Sequence, residues 1–335
     1  MAATKTLTAS CHCKSVIFTV TIPAEDLPLR VHLCHCSICR YTHGTPCSFH
    51  APLPVGVEPR FIAPSSLDNL TSYQHPASKA TGYFCSTCGC PIGGVDTQWT
   101  ISTAIFDANR DDRVWTFNAH MLPDSAPDGG LAALVSVIDG HRLETDNLGL
   151  SAEAIAGSDS APPDPESNEL LAQCHCRGVS FMIARPREKF IASDAGKELI
   201  PSPDRRKWPA RMDLGDAGRL TSGSHVISWL SVSLDHITPA LPEDFLIGSS
   251  KGYRDTRDVL RVFCRTCGAT VLSHRHERPK IVDVAMGILR APEGAMAENW
   301  SVWGSEQPLG LESGIRYHAG FSRALAEGMQ RWQAE

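Results

Sequence analysis

The chain has 335 residues, which is long enough for two domains of ordinary size. Its 42% hydrophobic and 20% charged residues are typical of a soluble globular protein. The net charge of −6 comes without a block of basic residues, which argues against a broad nucleic-acid binding surface. No apolar run approaches the length that a bilayer requires, and residues 1–10 lack the apolar core of a signal peptide. We therefore expect a cytoplasmic protein that binds neither nucleic acid nor a membrane.

The first half is expected to consist mainly of short strands. Alternating β-branched residues predict a strand within residues 11–22, directly after a Cys-x-Cys sequence. The 23 prolines and 26 glycines suit many short strands joined by turns. Residues 130–137 are the best candidate for a short helix here, and residues 322–333 are expected to form a terminal helix. Further strands are expected at residues 47–51, 61–62, 70–73, 98–106 and 113–118.

Cysteine spacing is the strongest functional signal. Of the 13 cysteines, 11 lie in tight Cys-x-Cys, Cys-x-x-Cys or Cys-x-Cys-x-x-Cys groups. Because we expect no secretory signal, this spacing favours metal binding over a disulfide framework. Thiolates select soft or borderline metals, so zinc is the expected cofactor. Cys47 and Cys90 lie outside the groups.

The cysteine pattern occurs twice along the chain. Cys174-His175-Cys176 repeats Cys11-His12-Cys13 at an offset of 163, and residues 263–268 (FCRTCG) repeat residues 84–89 (FCSTCG) at an offset of 179. The 16 additional residues of the second half lie before Arg219, around residues 187–210. Such a repeat predicts two related domains in tandem.

Between the repeats lies a stretch of small, acidic, Pro- and Ser-rich residues without apolar periodicity, which predicts a flexible linker. The expected organisation is a zinc-binding β domain over residues 1–150, a linker over residues 151–168 and a second zinc-binding β domain over residues 169–335.

The repeat separates structural from functional cysteines. At the offset of 179, Cys34, Cys36 and Cys39 fall on Asp213, Gly215 and Gly218, yet both outer cysteine pairs survive. Two thiolates seldom hold zinc alone, so the outer pairs of each half are expected to close one four-cysteine structural site, with free buried thiols as the alternative. The two expected sets are Cys11, Cys13, Cys85 and Cys88 in the first half and Cys174, Cys176, Cys264 and Cys267 in the second.

The middle triplet, Cys34, Cys36 and Cys39, is expected to form a separate site that occurs only in the first half. A metal site that is missing from one copy of a repeat, while the rest of that copy is retained, is more often functional than structural. It is either open, with three protein ligands, or closed by a fourth. The candidates for a fourth ligand are Cys47, Cys90, His32, His35 and His43. Adjacent side chains of an extended segment point apart, so His12, His35 and His175, each between two cysteines, are expected to be exposed.

An open three-thiolate zinc site suits sulfur chemistry. Three thiolates leave a zinc site with a net charge of −1, which weakens zinc as a Lewis acid for making hydroxide. A substrate thiol is a better fourth ligand, because zinc lowers its pKa and holds the nucleophilic thiolate in place.

The sequences CHC-x-S-V-x-F, CHC-x-x-C-R-x-x-x-G and F-C-x-x-C-G, in this order over residues 11–89, resemble the glutathione-dependent formaldehyde-activating enzyme family, which includes centromere protein V. The second half resembles the same family without the middle cysteines. The resemblance implies a zinc-stabilised β-tent-type fold of short antiparallel sheets and a carbon–sulfur lyase acting on a thiol adduct such as S-hydroxymethylglutathione. It also implies that Cys34, Cys36 and Cys39 hold a catalytic zinc and that the second half is an inactive scaffold or lid.

Two further functions were weighed against the lyase. A non-enzymatic zinc-binding interaction module fits the tandem layout and the altered second copy. Chromatin or nucleic-acid binding is disfavoured by the net charge of −6. The expected partner is therefore glutathione or a small thiol adduct, and the sequence leaves the oligomeric state open. Arg40 flanks the triplet but recurs as Arg219 in the altered half, which favours a structural role.

Overall fold

The computed structural model describes residues 3–75, 80–107, 113–149, 167–200, 204–255, 258–304 and 307–334. Most of the predicted linker, residues 151–168, lies outside these ranges. None of the helices within them is long and apolar enough to span a membrane.

The described residues of the first half form thirteen strands and two short helices. The strands are β1 (Thr4–Ser10), β2 (Ile17–Pro23), β3 (Leu29–Cys34), β4 (Ser48–Pro52), β5 (Arg60–Phe61), β6 (Leu70–Gln74), β7 (Thr81–Cys85), β8 (Pro91–Val95), β9 (Trp99–Ser102), β10 (Trp115–Met121), β11 (Val137–Ile138), β12 (His141–Arg142) and β13 (Glu144–Asp146). The helices are α1 (Ser37–His43) and α2 (Gly130–Leu134).

The second half contains ten strands and five helices in its described residues. The strands are β14 (Glu169–Gln173), β15 (Ser180–Ala184), β16 (Trp208–Asp213), β17 (Ile227–Ser233), β18 (Ile237–Thr238), β19 (Ser250–Arg254), β20 (Leu260–Cys264), β21 (Thr270–His274), β22 (Ile281–Ala285) and β23 (Ser301–Trp303). The helices are α3 (Glu188–Ile191), α4 (Asp194–Leu199), α5 (Asp216–Ser222), α6 (Leu311–Tyr317) and α7 (Ala319–Ala334).

Most strands form two pairs of sheets with matching order, and β11 and β12 form a separate two-stranded sheet. A three-stranded sheet, β1-β2-β5, accompanies an eight-stranded sheet ordered β13-β10-β3-β4-β9-β8-β7-β6. In the second half, β14-β15-β18 accompanies a seven-stranded sheet ordered β23-β16-β17-β22-β21-β20-β19. The prediction of a mainly β protein is thus confirmed.

The expected short antiparallel sheets are present, and each large sheet also has a parallel pairing towards one edge. Strand β3 runs parallel to β10, and β16 runs parallel to β23. A parallel pair needs a long crossover connection. The chain between β3 and β10 supplies one, because it forms α1 and strands β4 to β9 before it returns to the sheet.

Alternation of buried residues explains the predicted strand in residues 11–22. In β2, Phe18, Val20 and Ile22 are fully buried, whereas Thr19 and Thr21 are not. Side chains of a strand alternate between its faces, so one face of β2 enters the core. The predicted segments near residues 47–51, 61–62, 70–73, 98–106 and 113–118 also contain strands, namely β4, β5, β6, β9 and β10. The predicted helices at residues 130–137 and 322–333 correspond to α2 and α7.

The two halves pack against each other with approximate two-fold symmetry. His12 Nδ1 lies 2.9 Å from the hydroxyl of Tyr253, and His175 Nδ1 lies 2.8 Å from the hydroxyl of Tyr73. The rings of Phe84 and Phe263, which precede the two Cys-x-x-Cys turns, meet edge to face at 6.4 Å. A single hydrophobic cluster contains buried residues of both halves. The halves therefore share one core.

Gly268→Ala should lower the free energy of unfolding by about 3 kcal/mol, against about 1 kcal/mol for the control Gly56→Ala. Both glycines have a φ of 83°, which costs a residue with a side chain about 1–2 kcal/mol. A Cβ on Gly268 would also lie 2.8 Å from the Phe84 ring, whereas a Cβ on Gly56 would have nothing within 4 Å. Overpacking adds about 1–3 kcal/mol. Urea denaturation measures both changes, and equal losses would show that the contact between the halves adds nothing.

Candidate metal and active site

The outer cysteines of the first half come together as one group. The sulfurs of Cys11, Cys13, Cys85 and Cys88 all lie within 4.8 Å of one another. Cys11 Sγ is 3.5 Å from Cys13 Sγ, which is 3.6 Å from Cys85 Sγ. A tetrahedral zinc with Zn–S bonds of about 2.3 Å places its sulfurs about 3.8 Å apart. The spacing therefore fits a four-thiolate zinc site.

The second half repeats this arrangement. The sulfurs of Cys174, Cys176, Cys264 and Cys267 also lie within 4.8 Å of one another, and Cys176 Sγ is 3.4 Å from Cys264 Sγ. Backbone N–H groups donate to sulfur in both groups. Val16 N lies 3.4 Å from Cys11 Sγ, and Val179 N lies 3.3 Å from Cys174 Sγ. Such donors stabilise thiolates, the form of cysteine that binds a metal.

The middle triplet lies between the end of β3 and the first turn of α1. Cys34 ends β3, and Cys36 is the N-cap of α1, with its sulfur accepting from Cys39 N at 3.4 Å. The three sulfurs lie within 4.8 Å of one another. In the described part of the chain this group has three members and no fourth His, Cys, Asp or Glu ligand atom.

The candidates for a fourth ligand lie outside the group of three sulfurs in the described part of the chain. The expectation that His35 is exposed is wrong: it is fully buried, and its Nε2 donates to His120 Nδ1 at 2.9 Å. The expectation failed because residues 35–37 turn from strand to helix, so side chains no longer alternate as in a strand. Cys47 and Cys90 are fully buried, and burial raises the pKa of both thiols well above the usual value. His12 and His175, predicted to be exposed, are half-buried against the other half.

A cavity of about 470 Å³ adjoins the triplet. Cys36 and Cys39 form part of its wall, with Ile38, Phe84 and Pro91 among the apolar residues around them. Cys267 of the second quartet also reaches this wall, so both halves contribute to the cavity. Its volume is in the range of small-molecule sites.

Two histidines line the same cavity. His43 ends α1 and His50 lies in β4, with ring centroids 5.1 Å apart. The Nε2 atom of each ring is buried and has no hydrogen-bond partner among the described residues. Burial lowers the pKa of His43 to about 4 and that of His50 to about 3, so both rings are neutral near pH 7. The sequence analysis named His43 as a candidate fourth ligand of the triplet, whereas it did not identify His50.

The sequence was compared with known proteins. The model of the family described as glutathione-dependent formaldehyde-activating enzyme matches residues 6–117, about a third of the chain. Residues 6–117 belong to this family. No curated protein and no solved structure matches the chain. The family segment contains the first quartet, the middle triplet and the two cavity histidines.

In the second half, other residues stand at the positions of the first-half triplet. Asp213 replaces Cys34, and its carboxylate accepts from Gly215 N at 2.8 Å and from Trp229 Nε1 at 3.3 Å. Trp229 stands at the position of His50 and is 3% exposed. It packs with Ile227 and Ala285 in a small apolar cluster. At the positions of Cys34 and His50 the second half thus has a carboxylate and an indole that are hydrogen-bonded to each other.

Arg40 and Arg219 both have structural contacts, as the repeat predicted. Arg40 is buried and donates to the carbonyls of His35 and Ser125, each at 3.1 Å. Arg219 donates to the carbonyl of Ala104 and pairs with Asp216 at 2.9 Å. Both arginines tie the start of their helix to a neighbouring segment.

Proposed function

We propose that the protein is a zinc-dependent carbon–sulfur lyase acting on an adduct of glutathione or another thiol, such as S-hydroxymethylglutathione. The supporting observation is a group of three sulfurs, two of whose cysteines, Cys36 and Cys39, line a cavity of about 470 Å³, within the segment that matches the formaldehyde-activating family. In this proposal Cys34, Cys36 and Cys39 hold the zinc of the reaction. The quartets hold two structural zinc ions.

The residues around the triplet would orient the substrate and limit its contact with water. When bound, zinc would lower the pKa of the substrate thiol and so favour its thiolate form. Cys36 and Cys39 fix the wall against which the substrate sulfur would lie, and Ile38 and Phe84 shield that wall with apolar surface. An electrostatic contact is stronger where water is excluded, so this shielding favours polarisation of the carbon–sulfur bond.

We propose further that residues 1–150 and 169–335 are two related domains joined by residues 151–168, and that the second supports the first without catalysing a reaction. The basis is the matching strand order and the filled position of the triplet. We also propose a cytoplasmic location.

Exchange NMR tests the proposed activity. Glutathione and formaldehyde combine reversibly without a catalyst, so the measurement is the exchange rate between free glutathione and its adduct. We expect the zinc-loaded protein to raise that rate in proportion to its concentration. Unchanged exchange with glutathione, cysteine, cysteamine and 2-mercaptoethanol would overturn the proposal.

A further inference from the structure

The two cavity histidines offer hydrogen bonds that no described residue takes up. His43 Nε2 and His50 Nε2 are both buried, and both rings line the cavity beside Cys36 and Cys39. A buried polar atom without a partner costs about 1–3 kcal/mol. Two such atoms on facing rings at the wall of one cavity indicate a bound ligand that satisfies both.

The neighbours of each ring assign opposite roles to the two nitrogens. His43 Nδ1 lies 3.0 Å from the carbonyl oxygen of Cys39, which only accepts, so Nδ1 carries the proton and Nε2 is an acceptor. His50 Nδ1 lies 3.3 Å from Ser48 Oγ. We assign the fully buried Ser48 hydroxyl as the donor in this hydrogen bond, which places the proton of His50 on Nε2. One nitrogen therefore accepts and the other donates.

We propose that His43 and His50 together bind the oxygen of the substrate, an inference that rests on the proposed function. The hydroxyl of the adduct donates to His43 Nε2 and accepts from His50 Nε2–H. A hydroxyl can donate and accept at the same oxygen. The two rings are neighbours, with centroids 5.1 Å apart, and both line the cavity in which the substrate would bind.

The second half supplies independent support from within the chain. At the offset of 179, His43 corresponds to Ser222, Ser48 to Ile227 and His50 to Trp229. Both histidines and Ser48 are therefore replaced by other residues, together with the three cysteines. The replacements Ile227 and Trp229 are buried and apolar, so the corresponding surface offers no pair of histidine nitrogens. Residues that change as one set are expected to serve one site.

The step that these histidines assist is addition of the thiolate to the carbonyl. The sulfur forms a bond to the carbonyl carbon, and the π electron pair moves to oxygen, where His50 Nε2–H stabilises the developing negative charge. The oxygen then takes a proton from water, which leaves hydroxide, and the new hydroxyl donates to His43 Nε2. Cleavage is the reverse. Neither ring changes its protonation state in this step.

The pair of nitrogens also defines the class of substrate. An S-(1-hydroxyalkyl) thiol, or hemithioacetal, has the hydroxyl that satisfies both rings. A thioester has an acceptor oxygen alone and leaves His43 Nε2 unpaired, and a thioether leaves both nitrogens unpaired. An unpaired buried polar group at a binding site gives strong discrimination. The site is therefore specific for hemithioacetals.

His50→Phe and His50→Gln test the proposal, with exposed His141→Gln as the control. His50 is the better target because His43 contacts the backbone of Cys39. His50→Phe should lower kcat by about 10²–10³-fold with an unchanged KM for the thiol and unchanged zinc content. His50→Gln keeps a side-chain donor and should retain much of kcat. His141→Gln should match the wild type.

A second readout is independent of turnover. The Nε2 nitrogen resonances of His43 and His50, assigned by ¹⁵N NMR of the single variants, should shift when glutathione and formaldehyde are added together but not with glutathione alone. Equal kcat for His50→Phe and wild type, or no shift with the two reactants, would overturn the role of the histidines. Absence of turnover in the wild type would instead count against the proposed function.

Discussion

Replacing Cys34, Cys36 and Cys39 together by alanine should reduce the zinc content from three ions per chain to two and lower turnover of S-hydroxymethylglutathione at least about 10³-fold. Three groups of cysteines can hold a metal, and this change removes one of them. A metal that polarises the reacting centre contributes several kcal/mol, and each 1.36 kcal/mol is about tenfold in rate. Metal analysis and exchange NMR on the same samples measure both effects.

The fold should survive this change, because the second half adopts the same strand and helix without these cysteines. A sharper variant copies that half: Cys34→Asp, Cys36→Gly and Cys39→Gly reproduce the residues at 213, 215 and 218. Cys47→Ala is the matched control, since Cys47 is a fully buried thiol outside the three groups, and it should keep three zinc ions. Two zinc ions in the wild type, with unchanged turnover in the triple variant, would contradict the assignment of the triplet.

The cysteine groups were predictable because their spacing is local and repeated. Each Cys-x-x-Cys turn carries a glycine at its end, and Gly89 and Gly268 both adopt a positive φ as expected for such a turn. The survival of both outer pairs in the second half indicated which cysteines belong together. The structure places those same sets within one group each.

The surroundings of the triplet could not be predicted in the same way. Helix α1 has seven residues and begins at a cysteine that caps its own turn, which is not a usual N-cap residue. His50 has its side chain at the cavity because β4 alternates, with Phe49 fully buried in the core. The sequence contains that alternation, but it does not reveal which strand borders the triplet. Here β4 pairs with β3 through Cys34 and Ser48.

The parallel strand pairs and the core shared by the two halves also could not be predicted from sequence patterns. Strands β3 and β10 are paired although more than 80 residues of chain lie between their starts. Strand pairing over such distances depends on side-chain packing across the whole sheet and leaves no local signal. Contacts such as His12 with Tyr253 connect residues 241 positions apart. A tandem repeat indicates related halves but does not show that they pack against each other.

Cys264→Ser should remove one zinc ion, lower the free energy of unfolding by at least about 5 kcal/mol and reduce turnover at the first-half cavity. Zinc held by four cysteines stabilises small domains by about 10–16 kcal/mol, so loss of one ligand is costly. Phe263 and Cys267 flank the altered position. Phe263 meets Phe84 of the first half, and Cys267 lines the cavity. The substitution in the second half is therefore expected to disturb the cavity beside the first-half triplet as well.

Thermal unfolding, metal analysis and exchange NMR measure these effects, with a decrease in Tm of at least about 10 °C for a loss of 5 kcal/mol. Ser249→Ala is the matched control, because it removes the hydroxyl 3.1 Å from Cys264 Sγ and keeps all four sulfurs. This control should retain three zinc ions and lose about 1 kcal/mol. Since one hydrophobic cluster joins the halves, unfolding should remain a single transition. A Cys264→Ser protein with two separate transitions and full turnover would show that the first half is stable and active without the second.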